Sequence, residues 1–90
     1  MLGKRTKITS ENIKNVPQAF RAEYSEIVFE IEENMERILE ARCEIEDMMA
    51  SGETDGCMYF VQTIQSSKEN LYDLLIAVNK SWRKWNRKQK

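Results

Sequence analysis

Residues Pro17–Ser51 read PQAFRAEYSEIVFEIEENMERILEARCEIEDMMAS, and two interleaved rows of sevens run through them. Phe20, Ile27, Asn34, Ala41 and Met48 form one row; Tyr24, Ile31, Ile38 and Ile45 form the other. Steps of alternately four and three residues mark a coiled-coil-like seam on an α-helix. Val28, Met35, Leu39 and Met49 widen that seam into the broader stripe a bundle helix carries. Pro17 suits a first helical turn, where its missing N–H is not needed. Gly52, just past Ser51, can take the left-handed conformation that closes a helix. The stretch therefore predicts one helix over 17–51.

Downstream, 52–55 reads as a turn, with Thr54 or Asp55 placed to cap a second helix over 56–88. Its seam alternates Cys57, Ile64, Leu71, Val78 and Trp85 with Val61, Lys68, Leu75 and Trp82. The polar run Gln65–Asn70 interrupts it, and Ser66 with Glu69 has the form of a capping box that could open a third helix. The seam keeps its phase across that run, which favours one continuous helix. Each helix would span about 50 Å at 1.5 Å per residue. A turn this short forces the pair antiparallel, so residues at one level have numbers summing to about 107. Upstream, 1–16 is a basic segment without a sustained period, where Thr9 or Ser10 can cap a short turn through Asn15. The fold class is all-α: a long antiparallel helical hairpin of two long helices, or three if the second one breaks.

Such a hairpin leaves its flanks wet. Val28, Phe29, Met35, Leu39, Cys43, Met58, Phe60, Leu74 and Ile76 lie on or beyond the flanks of the seams. Burying a Leu- or Phe-sized side chain contributes about 1.5–3 kcal/mol, and monomers seldom tolerate a large apolar patch. A homodimer or higher homo-oligomer is expected, with paired hairpins forming a helical bundle. Its seam would use Ile27, Ile31, Ile38, Ile45, Ile64, Leu71, Leu75 and Val78. Asn34 and Lys68 interrupt the seams and can select register or oligomer state.

The chain has 90 residues, enough for one domain. Apolar residues at 41% exclude a disordered chain, and charged residues at 32% suit long surface helices. The formal net charge of −1 conceals segregation. Between Ala19 and Ala50 ten acids face three arginines, whereas Lys80–Lys90 holds six bases and no acid. The first fourteen residues add Lys4, Arg5, Lys7 and Lys14 against Glu11 alone. No secretory signal or membrane-length apolar run is visible, and two cysteines are too few for a disulfide scaffold. A reduced, cytoplasmic protein without a membrane span is expected.

Enzyme chemistry finds little support. The chain has no histidine, which removes the commonest acid–base group near neutral pH and the commonest metal ligand. No Gly-rich phosphate loop appears, and no nucleophile has a base beside it. Cys43 and Cys57 sit about 10 Å apart along the hairpin axis, too far for a disulfide within one chain. A non-enzymatic protein without cofactors is expected.

Glu32-Glu33-Asn34-Met35-Glu36 has the form EExxE, and Glu69-Asn70-Leu71-Tyr72-Asp73 approaches an ExxD element. Together the two resemble the magnesium sites of the all-α nucleoside triphosphate pyrophosphohydrolases, the MazG-like family. The resemblance implies Mg²⁺ ligands at Glu33, Glu36 and Asp73, with Asn70 standing where the family carries a glutamate.

Two further constellations point to binding. In an antiparallel hairpin both termini reach the same end, so Lys4, Arg5, Lys7, Arg87, Lys88 and Lys90 form a basic pole suited to nucleic acid. Lys80 and Lys84 lie level with the acidic helix and are expected to neutralise Glu23, Glu26 and Glu30. Trp82 and Trp85 face Phe20 and Tyr24 and are expected to pack as core. At the opposite end Met48, Met49, Met58, Tyr59 and Phe60 gather near the turn, where methionines adapt to a protein partner. A regulatory, adaptor or inhibitor protein that binds another protein as a homo-oligomer is the expected function.

Overall fold

The computed structural model describes residues 2–89. A 3-10 turn (Ile13–Asn15) precedes three helices: α1 (Gln18–Glu23), α2 (Ser25–Ser51) and α3 (Cys57–Lys88). Among the described residues there is no strand, and α2 and α3 form the long antiparallel hairpin that their seams require. The molecule is 57 Å long and 21 by 19 Å across. Level pairing follows the sequence register: Arg37 shares one surface recess with Asn70, and Glu44 shares another with Thr63.

α3 runs unbroken through Gln65–Asn70. Ser67 is not the start of a new helix but a buried contact, level with the buried Ala41 of α2. Two small residues at one level let the helix backbones approach there. The first helix differs from its expectation. It is interrupted at Tyr24 (φ −116°, ψ 38°), which separates α1 from α2. Gly52 closes α2 in the left-handed region (φ 77°), its N–H donating to the Met49 carbonyl. α3 opens without the expected Thr54 or Asp55 side-chain cap. Gly56 (φ 92°) occupies that position, and the backbone carbonyl of Thr54 receives the Cys57 N–H instead.

The short turn expected through Asn15 forms as the 3-10 turn Ile13–Asn15, and the N-terminal segment around it packs on the hairpin as a strap. It climbs along α3, turns over at Thr9–Asn12 and returns to α1. Three α3 side chains hold the ascent. Asn79 accepts the Ile8 N–H at 2.8 Å and donates to the Ile8 carbonyl at 2.9 Å; Trp82 Nε1 donates to the Thr6 carbonyl, and Asn86 to the Lys4 carbonyl. At the crown, Asn12 Oδ1 accepts the Thr9 N–H, Thr9 Oγ1 accepts the Asn12 N–H, and Asn12 Nδ2 donates to the Lys7 carbonyl.

With its backbone satisfied, the strap can bury Ile8, Ile13 and Val16 against Phe20, Val28, Ile31, Val78 and Trp82. Phe20 is the hub. Its ring lies 5.0 Å from Trp82, 5.7 Å from Trp85 and 4.9 Å from Tyr24, and the two tryptophans stack at 5.5 Å. A second copy is therefore not what covers Val28 or Leu74 in this half, although Phe29 and Ile76 stay exposed there.

The other half has no such cover. Among the described residues between Glu36 and Asn70 only Ala41 and Ser67 are buried. Ile38, Ile45, Ile64 and Leu71, expected at the seam, are only half-buried there, whereas Ile31 and Val78 beneath the strap are fully buried.

Asn79→Ala strands both the Ile8 N–H and its carbonyl in a buried site, and should destabilise the chain by about 2–4 kcal/mol. Denaturant unfolding and faster amide exchange at Ile8 measure it. Asn86→Ala, at the exposed end of the strap, should cost less than about 1 kcal/mol.

Candidate functional site

Three surfaces carry the residues singled out from the sequence. The first is an acidic recess of about 420 Å³ between α2 and α3, lined by Glu30, Glu33, Asn34, Arg37, Asn70, Asp73 and Leu74. The α-helical spacing of Glu30, Glu33, Asn34 and Arg37 puts them on one side of α2, and Asn70, Asp73 and Leu74 answer from α3. Glu33 and Asp73 thus share one recess. Glu36 does not join them; it is exposed, and Glu33 is bound by the Arg37 guanidinium at 3.3 Å. Among the described residues no three Asp, Glu, Cys or His side chains converge as a metal site. The donor set implied by the EExxE pattern does not fit Mg²⁺, which needs several oxygens around one point.

Asn34 sits at the floor of this recess, 6% exposed. Its Nδ2 donates to the Glu30 carbonyl at 2.8 Å, while its Oδ1 is buried without a partner. The polar seam residue is therefore half satisfied.

The second surface is the basic end. Lys4, Arg5 and Lys7 on the strap meet Arg83 around a recess that also touches Thr6, Asn79 and Trp82. The Asn86–Lys4 bond brings Lys4 to the last turn of α3, which carries Arg87 and Lys88. Lys90 lies outside the described residues. Neutralisation by the acidic helix, expected at Lys80 and Lys84, is not realised as ion pairing. The ion pairs among the described residues are Arg21–Glu32 at 2.9 Å and Arg37–Glu33. Trp82 is buried and Trp85 half-buried in the ring cluster, as expected for core. In the same cluster partial burial, and after it the neighbouring Glu23 carboxylate, push the Tyr24 phenol above its ordinary value.

The third surface is the turn end. Met49, Met58 and Tyr59 are exposed, whereas Met48 and Phe60 are half-buried. Met48 packs inward, its Sδ 3.9 Å from the Cys57 thiol. Tyr59 and Phe60 form an edge-to-face pair at 5.3 Å, and line a groove with Arg37, Glu40, Ala41, Glu44 and Thr63. Cys43 and Cys57 are free thiols. Sequence reasoning did not identify the Glu40–Glu44–Tyr59–Phe60 groove as a unit; the level rule pairs these positions and was the available signal.

Comparison with protein-family models, with curated proteins and with solved structures gives no match. No helix among the described residues is long and apolar enough to cross a membrane.

Asn34→Leu removes the orphaned Oδ1 at similar volume, and should raise stability by about 1 kcal/mol. The denaturation midpoint should rise at unchanged slope. A fall would mean that the Nδ2 bond to the Glu30 carbonyl contributes more than the orphaned Oδ1 costs.

Proposed function

We propose that the chain is a non-enzymatic adaptor or regulatory protein that works as a homo-oligomeric helical bundle and docks another protein at its turn end. One observation carries this reading. Of the eight large apolar side chains exposed among the described residues, Leu39, Met49, Met58, Tyr59 and Val61 lie in the half of the hairpin that lacks a core of its own, and Phe29, Tyr72 and Ile76 lie in the other. Scattered apolar residues on a surface need no explanation, but a concentration of large ones is the mark of a binding surface. Glu40, Glu44, Glu46, Asp47, Glu53 and Asp55 are exposed beside them. That rim favours a basic partner and accelerates encounter more than it adds affinity. A cytoplasmic setting suits the two free thiols.

Met58→Ala and Tyr59→Ala should each abolish most partner capture from cell extract, because interface energy concentrates in a few large anchors. Their helicity and unfolding midpoint should stay within about 0.5 kcal/mol of the parent, as for exposed positions. Loss of stability in step with loss of capture would show that these side chains are core, and the reading would fail.

A second reading rests on the basic end, where Lys4, Arg5, Lys7, Arg83, Arg87 and Lys88 gather without an acid paired to any of them among the described residues. Since the tryptophans there are packed in the core, any nucleic acid would be held through phosphates, without base stacking. Binding should then weaken steeply with salt, and Lys4→Ala with Arg87→Ala should flatten that slope by about two charges. Unshifted single- and double-stranded oligonucleotides at low salt would retire this reading.

A further inference from the structure

The strap covers one face of the hairpin only as far as its crown. There Ser10–Lys14 borders Glu32 and Met35 on α2, and Lys7–Ser10 borders Tyr72 and Leu75 on α3. The stripes beneath it do not stop at that level. On α2 the positions Val28, Glu32, Met35, Leu39, Arg42, Glu46 and Met49 continue in steps of four and three, which keeps them on one flank. On α3 the stripe that holds the strap at Leu75 continues back through Leu71, Lys68, Ile64, Val61 and Cys57. Beyond the crown this face is bare: Leu39, Arg42, Glu46, Met49, Val61 and Lys68 are all exposed.

We infer that a second copy of this chain covers that bare face, antiparallel to the first, with α2 lying on the partner's α2 and α3 on the partner's α3. The inference rests on the reading that the chain works as a homo-oligomer and specifies the surface and register.

The stripe on α2 is self-complementary when reversed about Glu44. Leu39 then meets the partner's Met49, and Arg42 meets the partner's Glu46; two-fold symmetry repeats both contacts in the opposite sense. On this helix each bare apolar position faces an apolar one and each charge its opposite, while the reversal on α3 leaves Lys68 opposite the partner's Cys57. On α3 the seam reversed between Gln62 and Thr63 sets Val61 against the partner's Ile64. That α3 midpoint lies at the same level of the hairpin as Glu44, since level partners have numbers summing to about 107. One two-fold axis therefore serves both helix pairs.

The strap excludes the competing arrangement. Two hairpins with their turns at the same end would bring strap against strap and hold the bare faces apart. In the antiparallel arrangement each turn stops near the crown of the other copy's strap, so overlap is confined to the coreless halves. Half of the 57 Å length by the 21 Å width gives about 600 Å² in projection. Helix corrugation brings this to the scale of the about 800 Å² that each partner buries in a standard interface. The groove holding Tyr59 and Phe60 lies on the opposite face and stays open for another protein.

Charge reversal tests the register. Wild type should be a dimer by sedimentation equilibrium at micromolar concentration. Arg42→Glu and Glu46→Arg each place like charges opposite one another twice, and should weaken the dimer about 100-fold or more while helicity is kept. Mixing the two variants should restore the dimeric mass, because each then faces the other's opposite charge. That recovery depends on pairing between copies and does not follow from any contact within one helix. A dimeric wild type whose two variants remain dimeric separately would overturn this register and leave the homo-oligomer reading standing. A monomeric wild type would sink both.

Discussion

The grip of Asn79 on Ile8 is the constraint on which the rest of the structure depends. An irregular segment cannot enter a core unless its peptide groups find partners, because an unpaired buried N–H or carbonyl costs about as much as a lost hydrogen bond. Asn79 offers both an acceptor and donors, so a single side chain answers both polar groups of Ile8 and still donates to the Leu75 carbonyl. Trp82 donates its indole N–H to the Thr6 carbonyl while its rings pack on Phe20, and the Thr6 N–H is met by the Gly3 carbonyl. Once the strap is held, Ile8, Ile13 and Val16 supply a third layer, and a two-helix hairpin acquires an enclosed core at one end.

The helices were legible in the sequence because each carries its own evidence. Sevens repeat along Phe20–Met48 and Cys57–Trp85, glycine marks the turn, and the phase across Gln65–Asn70 is kept in the unbroken α3. The strap was not legible, and the reason is physical. Ile8, Ile13 and Val16 follow no helical or strand period, and the backbone at Thr6 and Ile8 is held by side chains more than seventy positions downstream. Asn79 reads as an ordinary polar helix residue until its partner is known. The interruption at Tyr24 likewise has no glycine or proline to announce it. The level rule did transfer to three dimensions: Arg37 shares a recess with Asn70, and Glu44 shares another with Thr63. It carries no information on which way Glu36 points, and that position decides against a metal cluster.

Charge follows the same division. Lys80 and Lys84 are level with the acidic helix, yet the two ion pairs among the described residues, Arg21–Glu32 and Arg37–Glu33, both lie within the N-terminal half of the sequence. By folding back along α3 the strap adds Lys4, Arg5 and Lys7 to the end that already holds Arg83, Arg87 and Lys88, and so concentrates positive potential there. Acidic residues remain exposed along α2 towards the turn. A rod with opposite charge at its two ends orients an approaching partner before contact, and salt within a Debye length of about 10 Å suppresses that effect.

The two halves of the hairpin therefore stand in different relation to solvent. The strapped half encloses Phe20, Ile31 and Val78, so its core opens at greater cost than the exposed bonds of the crown. In the coreless half Ile38, Ile45, Ile64 and Leu71 are half-covered, and local opening there exposes little that is not already wet. Any partner that completes this half adds its binding free energy to the stability of the folded state. One end is enclosed by its own contacts, and the other leaves apolar surface exposed for want of a third layer. The short strap, which could have supplied that layer throughout, ends its ascent at the level of Met35 and Tyr72.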